Sequence, residues 1–166
     1  MNNTQSSSGQ TERLLELKSL LNEAGIAYAI LEHEQTISTA EEGAQTGLGT
    51  LSSMAPTFIL KTEAGYLAAI IRGDTRLAYM KIKQQLGLKN ISLASSDQVK
   101  EVSGAEVGYV SLVNPGIETI VDEKVISMDV IYGGCGVPHY TLRIQPKDLV
   151  AVVRARVFDF TEPKPS

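Results

Sequence analysis

A glycine-rich segment followed by a histidine is the part of this sequence best suited to chemistry. Gly133, Gly134 and Gly136 lie between two short apolar segments, and His139 follows three residues later. Glycine lets the backbone approach a ligand closely and adopt φ values closed to other residues. An imidazole beside it can donate or accept a proton near neutral pH. The pattern predicts a pocket floor with His139 in the site, against the alternative of a strand histidine bonded to backbone.

Three further positions combine a reactive or donor group with a suggestive setting. Lys61 ends the apolar run 58–60, where it could hold an anion or simply mark the solvent-facing end of a strand. Asp122 closes another apolar run and could bind an α-amino group or cap the next turn. Gly108 and the turn at Asn114 offer backbone N–H groups of the kind that stabilise an oxyanion, although such turns are commonly structural.

The remaining candidates are weaker. Cys135, the single cysteine, excludes an intramolecular disulfide and a cysteine-built zinc site. It could be a nucleophile, but no cation or helix N-terminus nearby indicates a lowered pKa, which favours a small packed residue. His33, between Glu32 and Glu34, is predicted to face solvent. The sequence contains no phosphate loop, nucleophile elbow or zinc motif, so neither a metal nor another cofactor is expected.

Composition narrows the class of protein. The chain has 166 residues, 43% hydrophobic and 20% charged, which suits one domain with a real core. A net charge of −4 argues against broad binding along a nucleic-acid backbone, so DNA is not an expected partner, although contact with one end of an RNA remains open. No run has the length of a membrane span, and no signal peptide is recognised, so we expect a cytoplasmic protein.

Mixed helices and strands must position these groups. Apolar spacing and capping signals predict helices over residues 11–24, 38–46, 79–86, 95–104 and a short one starting at 146. Strands are predicted over residues 28–31, 57–61, 66–71, 91–93, 107–113, 117–121, 130–132, 140–144 and 154–160. The order favours an α+β or mixed α/β single domain with one central sheet. We expect a disordered polar tail over 1–10, the domain over 11–160, and a free tail over 161–166.

Taken in order, these segments resemble the YbaK family, which includes the editing domain of bacterial prolyl-tRNA synthetase and free-standing relatives. The resemblance covers about residues 14–152 and rests on the order and spacing of several segments rather than on one motif. Those segments are residues 40–44, 67–87, 108–122, 136–140 and 144–149. The resemblance implies a central mixed, partly barrel-like β-sheet flanked by helices.

The function implied by the resemblance is a free-standing aminoacyl-tRNA deacylase that serves translation fidelity. Family members hydrolyse the ester of a wrong, small amino acid at the tRNA 3′ end, typically on tRNA for proline, without a metal or covalent nucleophile. The partners implied are the 3′ end of an aminoacyl-tRNA and an aminoacyl-tRNA synthetase.

The resemblance also implies roles for particular residues. Gly108 and the loop to Leu112 would supply oxyanion donors, and His139 would bind the aminoacyl group or terminal ribose. Lys61 is a third catalytic candidate, beside Gly108 and His139. The expected substrate-binding residues are Leu112, Asn114, Asp122, Gly133, Gly134 and Gly136.

Two departures from the family pattern leave an alternative open. Pro56 occupies the position of a lysine that anchors the tRNA terminus, and Leu112 occupies that of a loop proline. Lys61 lies at an odd offset from Pro56, so on a regular strand its side chain projects to the opposite face. The alternative is therefore a weakened or inactive module that binds a tRNA end, an amino-acid-like ligand or a protein partner.

Overall fold

Six α-helices and ten strands occur in the part of the chain described by this computed structural model, which covers residues 2–165, with side chains from residue 9. The helices are α1 Asn2–Glu23, α2 Ala40–Gln45, α3 Tyr79–Leu86, α4 Ser96–Ser103, α5 Glu123–Ile126 and α6 Pro146–Val153. The strands are β1 Tyr28–Glu32, β2 Thr57–Thr62, β3 Gly65–Ile70, β4 Thr75–Leu77, β5 Ile91–Leu93, β6 Glu118–Asp122, β7 Ile131–Gly134, β8 Tyr140–Ile144, β9 Arg156–Phe158 and β10 Thr161–Pro163. None of these helices is long and apolar enough to cross a membrane.

The strands form three sheets. The largest has the order β5-β2-β3-β6-β9, with β6 parallel to both β3 and β9 and the other pairs antiparallel. A second, antiparallel sheet has the order β1-β8-β7, and β10 pairs with β4. The mixed α/β prediction is confirmed. The expected single, partly barrel-like sheet is instead divided into three, and these do not close into a barrel within the described residues.

The centre of the largest sheet is buried on both faces. In β3, residues 67–70 are all buried, and Ile120 and Val121 of the neighbouring β6 are fully buried. Strands covered on both sides read as continuous apolar runs, which is why the 57–61 and 66–71 hairpin could be predicted from the sequence. The hairpin is confirmed, with Thr62 opposite Gly65 at its turn.

Local capping chemistry sets most helix ends. The predicted capping box of α4 is confirmed, since Ser95 and Gln98 exchange side-chain and backbone hydrogen bonds. Gly87 and Gly104 adopt the left-handed conformation at the ends of α3 and α4, close to the helix ends predicted from the sequence. The box at the start of α2 is displaced by one residue: Thr39 is the N-cap and accepts from the Glu42 N–H.

Three segments differ from the sequence-based expectation. Residues 2–10, expected as a disordered tail, continue helix α1, because adding turns to a helix whose Leu17 and Leu21 are anchored in the core costs little. Residues 107–113 form a loop instead of a strand, with Gly108 at φ +92°. Residues 161–165 are docked, because β10 pairs with β4 and Phe160 just before it is fully buried. Residues 1 and 166 lie outside the described range.

Candidate active site

A small cavity lies where the start of α2, the segment before β2, the 107–112 loop and the β7–β8 pair meet. Its volume is about 60 Å³. Its walls are mainly apolar, with tyrosines and hydroxyls between, and charged side chains do not line it in the described part of the chain. The lining includes Ile37, Ser38, Thr39, Ala40, Leu48, Met54, Ala55, Pro56, Gly108, Tyr109, Tyr132, Gly133, Gly134, Val137, Tyr140 and Thr141. A group of only a few heavy atoms fits such a space.

A larger apolar groove adjoins this cavity. It has a volume of about 370 Å³ and shares with the cavity the residues Ser38, Thr39, Ala40, Pro56, Gly108 and Gly134. Most of the rest is lined by apolar side chains from β2, β5, α4 and the 107–110 loop, together with Glu41, Thr57 and Lys164. The whole site therefore consists of the small cavity and the wider apolar groove into which it opens.

The glycines of β7 allow the 107–112 loop to pack directly on the strand. A Cβ on Gly134 would lie 2.2 Å from the carbonyl oxygen of Val110, and one on Gly133 would lie 2.5 Å from the Leu112 side chain. The expectation that these glycines leave room for a ligand is thus only partly met. Both line the cavity, but the space above each is filled mainly by the loop.

The loop reaches the junction of cavity and groove at Gly108. Gly108 lines both, and its N–H has no acceptor among the described residues. Its left-handed φ and the contact of a Cβ with Ser38 at 2.7 Å explain why glycine is needed there. Leu112 does not serve as a donor to ligand, because its N–H donates to the Gly134 carbonyl at 2.9 Å, and its side chain is fully buried.

His139 does not line the cavity, although its neighbours Val137 and Tyr140 do. The imidazole is exposed, and its Nδ1 donates to the Glu34 carbonyl at 2.9 Å. The backbone of His139 has φ +70°, which turns the chain into β8. The predicted convergence of His139 with the Gly108 loop is therefore not observed.

The other histidine approaches the cavity instead. His33 is half-buried, and its Nε2 lies 2.9 Å from the hydroxyl of the cavity residue Thr141. Its Nδ1 contacts the Gln35 carbonyl, which can only accept, so Nδ1 carries the proton. In neutral His33, Nε2 then accepts from Thr141 and fixes that hydroxyl. No local feature of the sequence indicates this pair, which depends on the antiparallel pairing of β1 with β8.

Three predicted site residues lie elsewhere. Lys61 is exposed on β2 and lines neither the cavity nor the groove. Asp122 is fully buried as the cap of α5: it accepts from the N–H of Lys124 at 3.1 Å and of Phe160 at 2.8 Å, which favours the capping alternative. Asn114 is buried and donates to the Ser111 carbonyl at 2.6 Å.

A second cavity, of about 220 Å³, lies on the other side of the glycine segment. Gly136, Asn114 and Cys135 line it together with Arg13, so Gly136 is placed away from the first cavity. Burial raises the pKa of the Cys135 thiol to about 11, which leaves it protonated at neutral pH. This argues against Cys135 as a nucleophile and favours the alternative of a small packed residue.

Two residues at the groove were not anticipated. The Thr57 hydroxyl is buried against the groove and has no hydrogen-bond partner among the described residues. Lys164 is the one cationic side chain lining either space in that part of the chain; its Nζ donates to Glu41 and, at 2.8 Å, to the Gly73 carbonyl. The hydrogen bond from Lys164 lowers the pKa of Glu41. Pro56, where the resemblance implies a lysine, presents an apolar ring at the same junction.

Among the described residues, no cluster of three or more histidine, cysteine, aspartate or glutamate side chains is arranged to hold a metal ion. The arrangement can bind a small acyl group by shape, offer an amide N–H and a fixed hydroxyl, and accommodate an apolar extension in the groove.

Sequence comparison finds relatives among proline–tRNA ligases. The chain is 32% identical over 105 residues to that of Pelotomaculum thermopropionicum, covering 59% of this chain and 18% of the ligase. It is 27% identical over 141 residues to that of Desulforamulus reducens, covering 80% of this chain and 25% of the ligase. The chain thus spans a quarter or less of the length of these relatives.

Solved structures match over nearly the whole fold. A protein described only as hypothetical superposes with a TM-score of 0.82 at 30% identity, covering 88% of this chain and 99% of that one. A protein described as a candidate trans-editing enzyme for prolyl-tRNA synthetase has a TM-score of 0.78 at 22% identity, covering 90% and 97%. The second likeness concerns the fold alone.

A family model provides the assignment. The model of the aminoacyl-tRNA editing domain matches residues 34–152. This span contains the whole cavity lining, the groove lining except Lys164, and His139, while His33 lies one residue before it. The family expected from the sequence is thereby confirmed, and the chain belongs to the aminoacyl-tRNA editing domain family.

Proposed function

We propose that this protein is an aminoacyl-tRNA deacylase that acts in trans, hydrolysing the ester of a small, wrongly attached amino acid at the 3′ end of a tRNA. The observation that carries the proposal is the cavity of about 60 Å³ that opens into the apolar groove. The first tRNA to consider is that for proline, because the ligases related to this chain are proline–tRNA ligases.

The size of the cavity supports a small amino acid. Met54, Ala40 and Val137 bound it with apolar surface, so an extra methylene on the substrate would have to displace packed side chains. A packed pocket of this kind discriminates by roughly 1–3 kcal/mol per methylene. An alanyl or seryl group would be accepted more readily than a larger aliphatic one.

The chemistry that fits the site is positioning of the ester for attack by water. Water oxygen would bond to the ester carbonyl carbon, the bond to the ribose oxygen would break, and the proton would pass to that oxygen, aided by the substrate's adjacent ribose hydroxyl. Gly108 N–H would stabilise negative charge on the carbonyl oxygen. Thr141, whose proton is directed to His33, would present its oxygen as an acceptor for the α-ammonium group or the water.

Ester hydrolysis on a defined panel tests the proposal. Alanyl-, seryl- and cysteinyl-tRNA(Pro) would be incubated with the protein, with correctly charged prolyl-tRNA(Pro) as the matched control, and remaining ester measured over time. We expect at least one mischarged tRNA to be hydrolysed faster than the control. Rates equal to the uncatalysed background on every member would contradict the proposal.

A specific observation favours one second candidate, a module that binds without turnover. Within the described part of the chain, tyrosines are the only titratable side chains that line the cavity, and His139 faces solvent. Such a module would be stabilised against heat by a non-hydrolysable aminoacyl-adenosine analogue, since a ligand that binds only the folded state raises its stability. Stabilisation without hydrolysis of any panel member would favour this candidate over the deacylase.

A further inference from the structure

In the part of the chain that the structure describes, Lys164, which follows β10, is the one positively charged side chain that lines the groove. Within the described residues, the cavity has no charged side chain in its wall, and the groove has two, Glu41 and Lys164. Lys164 lies beyond residues 34–152, the segment matched to the editing domain. Its presence at the groove is therefore a feature that the family assignment does not explain.

The fold holds Lys164 in place through the segment that precedes it. Phe160 is fully buried, and its N–H donates to the buried carboxylate of Asp122 at 2.8 Å. The pairing of β10 with β4 then sets Pro163 opposite Thr75, and the Lys164 N–H donates to the Asp74 carbonyl at 3.3 Å. Lys164 thus projects from an anchored strand, which limits the conformational entropy lost when it binds a ligand.

The ammonium group of Lys164 retains donor capacity. A lysine ammonium has three N–H donors, and the structure gives this one two acceptors, Glu41 and the Gly73 carbonyl. Glu41 is 51% exposed and Lys164 36% exposed, and an ion pair so open to water contributes little to stability. An incoming anion could therefore replace Glu41 at little cost.

Substrate geometry identifies the anion. If the acyl group occupies the cavity, the attached ribose must leave through the groove, and the 5′ phosphate of the terminal nucleoside lies one ribose away from the ester. The apolar groove walls suit a base. The group that then meets the rim of the groove is a phosphodiester, which lysine binds as a point charge.

We infer that Lys164 binds the phosphodiester next to the terminal nucleoside of the tRNA substrate and that Glu41 competes with this phosphate for the ammonium group. This inference rests on the proposed function, because it takes the acyl group to occupy the cavity. Lys164 is a substrate-binding residue in this scheme, and Glu41 weakens substrate binding.

Two substitutions that break the same ion pair should have opposite effects on RNA binding. The probe is an RNA hairpin that reproduces an acceptor stem, ends in single-stranded CCA and carries no amino acid. Its Kd is measured by fluorescence anisotropy at several salt concentrations. Lys164→Ala should raise Kd about fivefold and reduce the steepness of the salt dependence by about 0.7. Glu41→Gln should lower Kd, and Lys164→Arg should keep it near wild type. Lys147→Ala, which removes an exposed lysine outside both spaces, is the matched control.

A structural role for the pair would give a different result, because both substitutions would then shift Kd in the same direction or leave it unchanged. Either outcome overturns the inference, and thermal unfolding of each variant shows whether it is folded. With an alanyl-adenosine ester, which lacks the phosphate, Lys164→Ala should leave KM unchanged, whereas with alanyl-tRNA KM should rise. Failure of the wild type to hydrolyse either ester contradicts the proposed function separately, since the hairpin measurement needs no hydrolysis.

Discussion

At the scale of single residues, the site is organised by hydrogen bonds instead of charged catalytic side chains. Thr141 is buried at the cavity wall, and His33 holds its hydroxyl from behind at 2.9 Å. The Gln35 carbonyl fixes the tautomer of that histidine. His139 is occupied with the Glu34 carbonyl at the surface. Of the two histidines, His33, directly after β1, is therefore the one that contacts a residue of the cavity wall.

Thr141→Val tests this arrangement. Valine keeps the shape of threonine but removes the hydroxyl and leaves His33 Nε2 without its partner. A neutral hydrogen bond is worth about 0.5–1.5 kcal/mol, so kcat/KM for ester hydrolysis should fall roughly 2- to 12-fold. Thr141→Ser, which retains the hydroxyl, should keep activity close to wild type. Equal activity in the valine and serine variants would show that the hydroxyl has no role.

At the scale of elements, the contact between the 107–112 loop and β7 shapes the site. The Leu112 N–H donates to the Gly134 carbonyl, and the Val110 carbonyl lies against Gly134 where a side chain would otherwise project. Gly108 on this loop borders both cavity and groove. The loop is thus set by a strand that has no side chain at the contact, and shifting it would change the cavity.

Gly134→Ala should displace the loop. A Cβ there would lie 2.2 Å from the Val110 carbonyl oxygen, and backbone cannot yield as a flexible side chain does. Overpacking of this kind costs about 1–3 kcal/mol of unfolding free energy, and hydrolysis should fall with it. Urea unfolding measures the first effect and the ester assay the second.

The matched control is Gly9→Ala in α1, where a Cβ meets nothing within 4 Å. Because alanine favours helix over glycine, this variant should be neutral or stabilised by up to about 1 kcal/mol. A Gly134→Ala variant as stable as wild type would contradict the packing argument.

At the scale of the whole molecule, side-chain contacts hold the C-terminal segment, residues 159–164, against the rest of the domain. Asp159 accepts from Lys81 and Lys124, each at 3.0 Å, and both lysines also contact Thr161. The hydrogen bonds from Lys81 and then Lys124 lower the pKa of Asp159 to about 2. The same segment carries Lys164 to the groove, so its docking links stability to the proposed site.

Asp159→Asn should therefore have a pH-dependent effect on stability. A carboxylate whose pKa is lowered on folding stabilises the protein above its unfolded pKa, near 3.9, and loses that contribution as pH falls through about 2. The wild type should exceed the variant in unfolding free energy near neutral pH, by no more than about 1 kcal/mol because water screens the pair. The difference should shrink between pH 4 and 2.

Urea unfolding at a series of pH values measures this difference. The control, Asp129→Asn, removes an exposed carboxylate outside the network and should show no such trend relative to wild type. A difference between wild type and Asp159→Asn that stays constant from pH 7 to pH 2 would show that the ion pairs contribute nothing.

The sequence alone determined the elements whose signals are local, and with them the family. The hairpin of β2 and β3, the capping box at Ser95 and the glycine end of α3 are each encoded within a few residues of where they act. The order of such segments was enough to identify an editing domain, later matched over residues 34–152. Gly133 and Gly134, predicted to form the floor of a pocket, line the cavity.

Only the tertiary structure decided which side chains meet. His33 reaches Thr141 across 108 positions of sequence, and Lys164 reaches Glu41 across 123. The local sequence around these residues does not indicate either contact, because hydrogen bonds and ion pairs between distant residues depend on strand pairing and not on local propensity. The same holds for His139: its glycine-rich setting reflects the backbone path of β7 and β8, whereas the direction of its imidazole is set by the Glu34 carbonyl opposite.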